Sequence, residues 1–128
     1  MIKISLLLIS IFSLLYGLVF SFAPYFFAEL TQAETTNIAW LRNIGAAICG
    51  VLFVGLLLVY KSPSKNYDLF MIITITSILQ TLGLIFSRFY NEFSAQNTLV
   101  IDFTIYSAVF VSLYLAYILL NYKSIFNK

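Results

Sequence analysis

The chain has no histidine, one cysteine and few charges. Without histidine there is no imidazole to ligate haem b or a metal, and none to serve as a general base. Cys49 alone cannot close an internal disulfide or form a C-x-x-C redox pair. Its place inside an apolar run reads as a small buried hydrophobe. No hydrophobic run holds a pair of carboxylates either, so the groups that usually build a catalytic centre are missing. The expectation is a protein that is not an enzyme and carries no cofactor or metal. Only 9% of the 128 residues are charged, against roughly a quarter in a soluble domain. The net charge of +2 comes without a polybasic cluster, so nucleic acid is not an expected partner.

What fills the sequence instead is apolar: 62% hydrophobic residues, with 18% aromatics. A chain this short cannot hide so much apolar surface from water, because small domains bury the smallest fraction of their surface. Membrane lipid is therefore the expected solvent, with aromatic anchors at the interfaces. Four runs are long enough to span, at about 4–28, 38–60, 67–89 and 98–122. The first has a competing reading as a secretory signal peptide, with Lys3 as the basic segment and Ser21-Phe22-Ala23 as a cleavage site. Its apolar stretch exceeds the ~7–15 residues of a signal peptide, however, and Pro24 directly after Ala23 opposes cleavage. We read it as a retained helix.

Short polar segments separate the runs, and Ser62-Pro63-Ser64 is a turn signal. Short connections make sequential helices antiparallel neighbours. The expected fold is thus all-α, a single transmembrane antiparallel four-helix bundle. Lys3, Lys61, Lys65, Lys123 and Lys128 fall at the end holding both termini and the second connection. Glu29, Glu34 and Glu92 fall at the other end, with only Arg42 and Arg88 near them. The positive-inside rule puts both termini in the cytoplasm.

Helical spacing assigns faces. Ser10, Ser13, Gly17, Ser21, Pro24 and Ala28 share one side of the first helix, either a packing seam or a polar groove facing a ligand. In the second helix, Ala46 and Gly50 form a small-x-x-x-small contact signal, and Arg42, Ala46, Cys49, Phe53 and Tyr60 share an edge. Thr74, Ser77, Thr81 and Arg88 share a face of the third helix, with Gln80 alongside. Asp102, Tyr106, Val109, Leu113 and Tyr117 share one of the fourth. In an up-down bundle Arg42, Arg88 and Asp102 reach the same, non-cytoplasmic level. Ionisable residues in spans usually face the interior or pair with one another. Asp102 is therefore expected to meet Arg88, Arg42 or both, with Asn43, Gln80 and Tyr106 as neighbours. Three readings stay open: a structural ion-pair network, arginines snorkelling independently to the head groups with Asp102 at a favourable helix N-terminus, or a site for an anionic or polar head group.

Pro24 closing the first helix, Leu41-Arg42-Asn43-Ile44-Gly45 opening the second, Gly83-Leu84-Ile85-Phe86-Ser87-Arg88 closing the third, and Asp102 early in the fourth form a pattern. It resembles that of a family of small bacterial four-span integral membrane proteins known only as a domain of unknown function. The resemblance covers nearly the whole chain. It implies the four-span fold, a bacterial inner-membrane location and the same charged triad, but no activity. That family usually carries Glu at the last position, and Asp102 has the shorter reach.

Two functions compete. One is a non-enzymatic structural or accessory membrane protein, as a homo-oligomer or as part of a larger membrane complex. The other is a small binder or transporter of lipid or another hydrophobic compound, using Arg42, Arg88 and Asp102. Transporters usually bind near the midplane, where this sequence offers only Cys49, Thr74, Ser77, Gln80 and Ser112.

Overall fold

The computed structural model describes residues 2–32, 38–93 and 96–126, and every regular element among them is helical. The first two helices are α1 (Ile2–Phe22) and α2 (Pro24–Thr31). Helix α3 covers Ile38–Lys61, and one 3-10 turn at Pro63–Lys65 leads into α4 (Tyr67–Phe89). The chain continues through α5 (Thr98–Leu120) to the short α6 (Tyr122–Phe126). Glu34 and Lys128, which contribute to the charge bias, lie outside the described residues.

Helices α1, α3, α4 and α5 have 21, 24, 23 and 23 residues. At the helical rise these span about 31–36 Å, enough for a hydrocarbon core of ~30 Å. All four are apolar enough to cross a membrane. Their outer faces carry Phe22, Phe110 and Leu120 at 78%, 71% and 86% exposure. Soluble monomers do not present apolar surface on that scale to water. This is the architecture of a multi-pass membrane protein.

The first span ends in a break rather than running on as one helix to about residue 28. Pro24 brings no N–H and crowds the residue before it, pushing Ala23 out of the helical region. Ala23 accordingly sits at φ −124°, ψ 45°, and Pro24 restarts the chain at the first position of α2, where proline is tolerated. Gln32 closes α2 in the left-handed conformation at φ 51°.

Within α3, residues Ile48–Val54 form a π-helical stretch. Wider i→i+5 turns take in extra residues and rotate everything downstream relative to a plain α-helix. Upstream of it, α3 packs on α1; downstream, its last turns also reach α4. The α1–α3 contact is made by small residues. A Cβ on Gly45 would come within 2.7 Å of both Gly17 O and Ser21 N, so the two backbones nearly touch. Cys49 Sγ fills the space beside Gly17, and Ser10 donates to Phe53 O at 2.9 Å. Ser10, Ser13, Gly17, Pro24 and Ala28 are all buried, which makes the α1 stripe a packing seam. The expected Ala46/Gly50 contact is not made: Ala46 is exposed and Gly50 has open space around it. The seam uses Gly45 and Cys49 instead, the same spacing shifted by one residue.

A hydrophobic core lies at the end where α1 begins and α5 stops. Leu6, Leu56, Val59, Phe70, Ile73, Leu115, Ile118 and Tyr122 form it, with Ile2, Ile125 and Phe126 packed against it. Both ends of the described chain therefore sit at one end of the bundle. Tyr122 is the hub there. Its ring meets Tyr67, Phe70 and Phe126 at centroid distances of 5.0, 5.4 and 4.7 Å, and its hydroxyl donates to Pro63 O, tying α6 to the turn before α4. Burial pushes the phenol pKa up from its ordinary value of 10.0.

Two outcomes follow from this packing. Gly45→Leu should force α1 and α3 apart at a cost of about 1–3 kcal/mol, lowering the melting temperature in detergent. Maleimide labelling of Cys49, the sole thiol, should quicken well below that transition; unchanged labelling and melting would contradict the close approach. Tyr122→Phe should cost about 0.5–1.5 kcal/mol by removing the hydroxyl's hydrogen bond to Pro63 O, which keeps its bond from Asn66 N. Its pH signature has a definite sign. Above pH ~10 the unfolded phenol loses its proton while the folded one keeps it, so the unfolded state binds fewer protons and stability falls with rising pH. The native protein should show this alkaline fall more steeply than Tyr122→Phe in parallel melts, and identical slopes would refute it.

Candidate functional site

Along α4, Ser77, Thr81 and Arg88 recur at spacings of four and seven, which places them on one side of the helix. That side faces α5. Ser77 Oγ and Thr81 Oγ1 each share a hydrogen bond with Ser112 Oγ at 2.8 Å, and Thr81 Oγ1 also donates to Ala108 O at 3.2 Å. Ser77, Thr81 and Ser112 are buried. Thr74, the fourth member of the stripe, turns back and donates to Phe70 O at 2.8 Å. Hydroxyls suit this position because each can donate to one neighbour and accept from another. In lipid the alternative to such pairing is an unsatisfied polar group.

The same seam ends in an ion pair. Arg88 Nε donates to Asp102 Oδ1 at 2.7 Å and Nη2 to Oδ2 at 3.3 Å, a two-point contact between α4 and α5. The two side chains are 37% and 31% exposed. Arg88 is the penultimate residue of α4, and Asp102 lies four residues, about 6 Å, into α5. The pair thus sits near the membrane boundary at the end opposite the Tyr122 core.

Both helix ends around it are held. After α4 the chain makes a Schellman turn: Asn91 takes the left-handed conformation at φ 54°, and Glu92 N donates back to Ser87 O at 2.9 Å. Before α5, Asn97 accepts from Leu99 N at 3.2 Å as the N-cap. Its amide Nδ2 donates to Leu30 O at 3.1 Å and its backbone N to Thr31 O at 3.0 Å. One asparagine therefore caps α5 and takes up the terminal carbonyls of α2.

The expected cluster is divided. Arg88 and Asp102 meet. Arg42 does not join them: its Nη1 donates to Ser21 O at 2.7 Å, across from α3 to the end of α1. Ser21 is in the last turn before the Pro24 break, where carbonyls lack the amides that would continue the helix. Arg42 satisfies one of them. Asn43 and Gln80 are exposed, and neither bonds to the ion pair among the described contacts. Tyr106, one turn beyond Asp102, is 73% exposed. The α5 face that Asp102 shares with Tyr106, Leu113 and Tyr117 turns mostly outward. Tyr106, Leu113 and Tyr117 face outward at 73%, 68% and 57%, while Ile101, Ile105, Ser112, Leu115 and Ile118 face in. Tyrosines at half-wet, half-apolar positions carry no inward preference, because their hydroxyl can reach polar groups from a lipid-facing ring.

Asn97 and Asn91 escaped the sequence reading, although an Asn directly before the Thr98 run is an N-cap signal and an Asn after the last helical turn is a C-cap one. Two further ties were not readable because they join residues far apart in the chain. Ser5 Oγ shares a hydrogen bond with Tyr114 Oη, and Tyr16 Oη shares one with Thr104 Oγ1 at 3.4 Å, linking α1 to α5. Among the described residues no three Asp, Glu or Cys side chains converge as a metal ion would need. An open cleft lies at the opposite end of the bundle, bordered by Tyr67, Asn121, Tyr122 and Lys123. No family model, curated protein or solved structure matches the chain.

Proposed function

We propose that this protein is a non-enzymatic structural or accessory membrane component, working as a homo-oligomer or as a subunit of a larger membrane complex. The observation that carries the reading is the α4–α5 seam. Its hydroxyls and its ion pair are bonded to one another across the two helices, so these polar groups hold the bundle together. A transport or catalytic site would instead aim them into a shared space. The resemblance to bacterial four-span proteins adds a bacterial inner-membrane location to the proposal. The lysine distribution adds an orientation with both termini in the cytoplasm, and the packing of Ile2 and Phe126 against one core supports their being on the same side.

A second reading rests on a different observation. The Arg88 and Asp102 side chains are about a third exposed, and Arg42 is exposed near the same membrane boundary. Two guanidiniums against one carboxylate would favour an anionic head group, making the protein a binder or transporter of a lipid or another hydrophobic compound.

Charge exchange separates the two readings. Arg88→Ala and Asp102→Ala should each lower the amount of folded protein in membranes several-fold. Arg88→Asp combined with Asp102→Arg should recover most of it, because the pair is re-formed with its sign reversed. If both alanine variants keep native abundance and melting temperature yet lose a co-purifying anionic lipid in native mass spectrometry, the structural reading is wrong and the second one gains. The orientation has its own measurement. A fluorescent protein fused after Lys128 should glow and alkaline phosphatase fused there should be inactive; active phosphatase would reverse the topology.

A further inference from the structure

Among the described residues, Gln80 is the one strongly polar side chain left facing outward deep in a span. It lies nine residues before the end of α4 and thirteen after its start, about 14 Å from one end and 20 Å from the other. An amide side chain is too short to reach either head-group layer from there. It is exposed, and no described residue hydrogen-bonds to it, whereas every buried side-chain polar atom among the described residues has a partner. In hydrocarbon an amide without a partner is costly, because lipid offers no hydrogen bonds in exchange.

Gly83 adds a second anomaly on the same side, three residues on. A glycine inside a helix costs about 1 kcal/mol relative to alanine. Gly17, Gly45 and Gly55 each have a neighbour that a Cβ would strike, but a Cβ on Gly83, like one on Gly50 in the π-helical stretch of α3, would meet nothing within 4 Å. Nothing within the chain calls for glycine there. A helix from outside the chain, crossing closely at this point, would.

We propose that this face of α4 docks a second copy of the same chain, with the two Gln80 amides hydrogen-bonded to each other across a twofold axis along the membrane normal. The occupant follows from the chemistry. A carboxamide carries both donor and acceptor, so it is satisfied by its own copy, and an isologous contact places equal residues opposite each other at the axis. The face around it carries no charge for a charged partner to meet. Gly83 lets the two α4 helices approach closely enough for the amides to bond. This inference deepens the oligomeric reading above and rests on it. The Arg88–Asp102 exchange tests packing within one chain, so either result can fail while the other stands.

The test is made on the full chain in lipid vesicles. In a Cys49→Ala background that keeps Gln80, Thr76→Cys, one turn away on the same side of α4, should form a disulfide-linked dimer on mild oxidation in membranes. Phe110→Cys, 71% exposed on α5, should stay monomeric. With acceptor and donor fluorophores at the C-terminus, energy transfer on dilution into lipid should report dimers. Gln80→Leu should weaken that dimer about three- to twentyfold, the range measured for interhelical polar contacts in membranes, and Gly83→Leu should weaken it further. Gln80→Leu replaces a polar group by an apolar one on a lipid-facing surface, so its folding is secure. Gln80→Asn keeps an amide and should retain most of the affinity. A monomer at every lipid dilution, cross-linking at Phe110→Cys but not at Thr76→Cys, or a Gln80→Leu dimer as tight as the native one would each overturn the proposal. So would a lipid or a different protein found at this face with the chain itself monomeric.

Discussion

A helix entering lipid gains nothing hydrophobic by leaving lipid for another helix, since both surroundings are equally apolar. What remains is close packing and the requirement that every polar group find a partner inside the membrane. The details of this bundle answer that second demand. Pro24 breaks the first span and strands carbonyls at the end of α1; Arg42 crosses from α3 to take one of them. Asn97 does the same for the end of α2 while capping α5. Arg42, one of the three residues considered for an ionic cluster, thus answers a break made by a proline eighteen residues earlier.

Two helix pairs meet the demand by different routes. The α1–α3 pair is held by proximity: Gly17 and Gly45 bring backbone against backbone, where many weak contacts accumulate. The α4–α5 pair stands on hydroxyls and an ion pair, with Thr81, Ser112 and Arg88 each making two bonds across the seam. The pairs join at the end where Leu6, Leu56, Phe70, Leu115 and Tyr122 meet. There α6 folds back and Tyr122 bonds to the Pro63 turn, so the bundle is closed by aromatic packing at the end with most lysines.

The spans could be read from the sequence because length and apolarity alone decide them; a run of twenty apolar residues has few other fates. The α1 stripe could be read too, since Ser and Gly stand out against Leu and Phe. In α5 nothing stands out. Its inward Ile105 and Leu115 and its outward Phe110 and Leu113 are equally apolar, and the pattern that marks a buried face in water is lost when the outside is oil. The shared face of Tyr106 and Tyr117 therefore gave no indication that it points outward. The Ala46/Gly50 signal failed for a narrower reason. It shares its spacing with Gly45 and Cys49, and only the neighbouring helix distinguishes the two. The partner of Arg42 was not legible, because its acceptor is a backbone carbonyl freed by a break and side-chain patterns say nothing about carbonyls.

The π-helical stretch of α3 shows how the two modes of packing are reconciled in one helix. Gly45 and Cys49 must face α1, while a few turns later Gly55 must let Ile73 of α4 come close. A regular α-helix carries one seam along its length and drifts slowly from it. Widening the turns between Ile48 and Val54 rotates the helix between the two contacts. Ser10 donates to Phe53 O within this stretch, so α1 also holds the irregular backbone it packs against. The irregularity therefore lies between the two seams, where one helix passes from packing on glycine to packing on the aliphatic core.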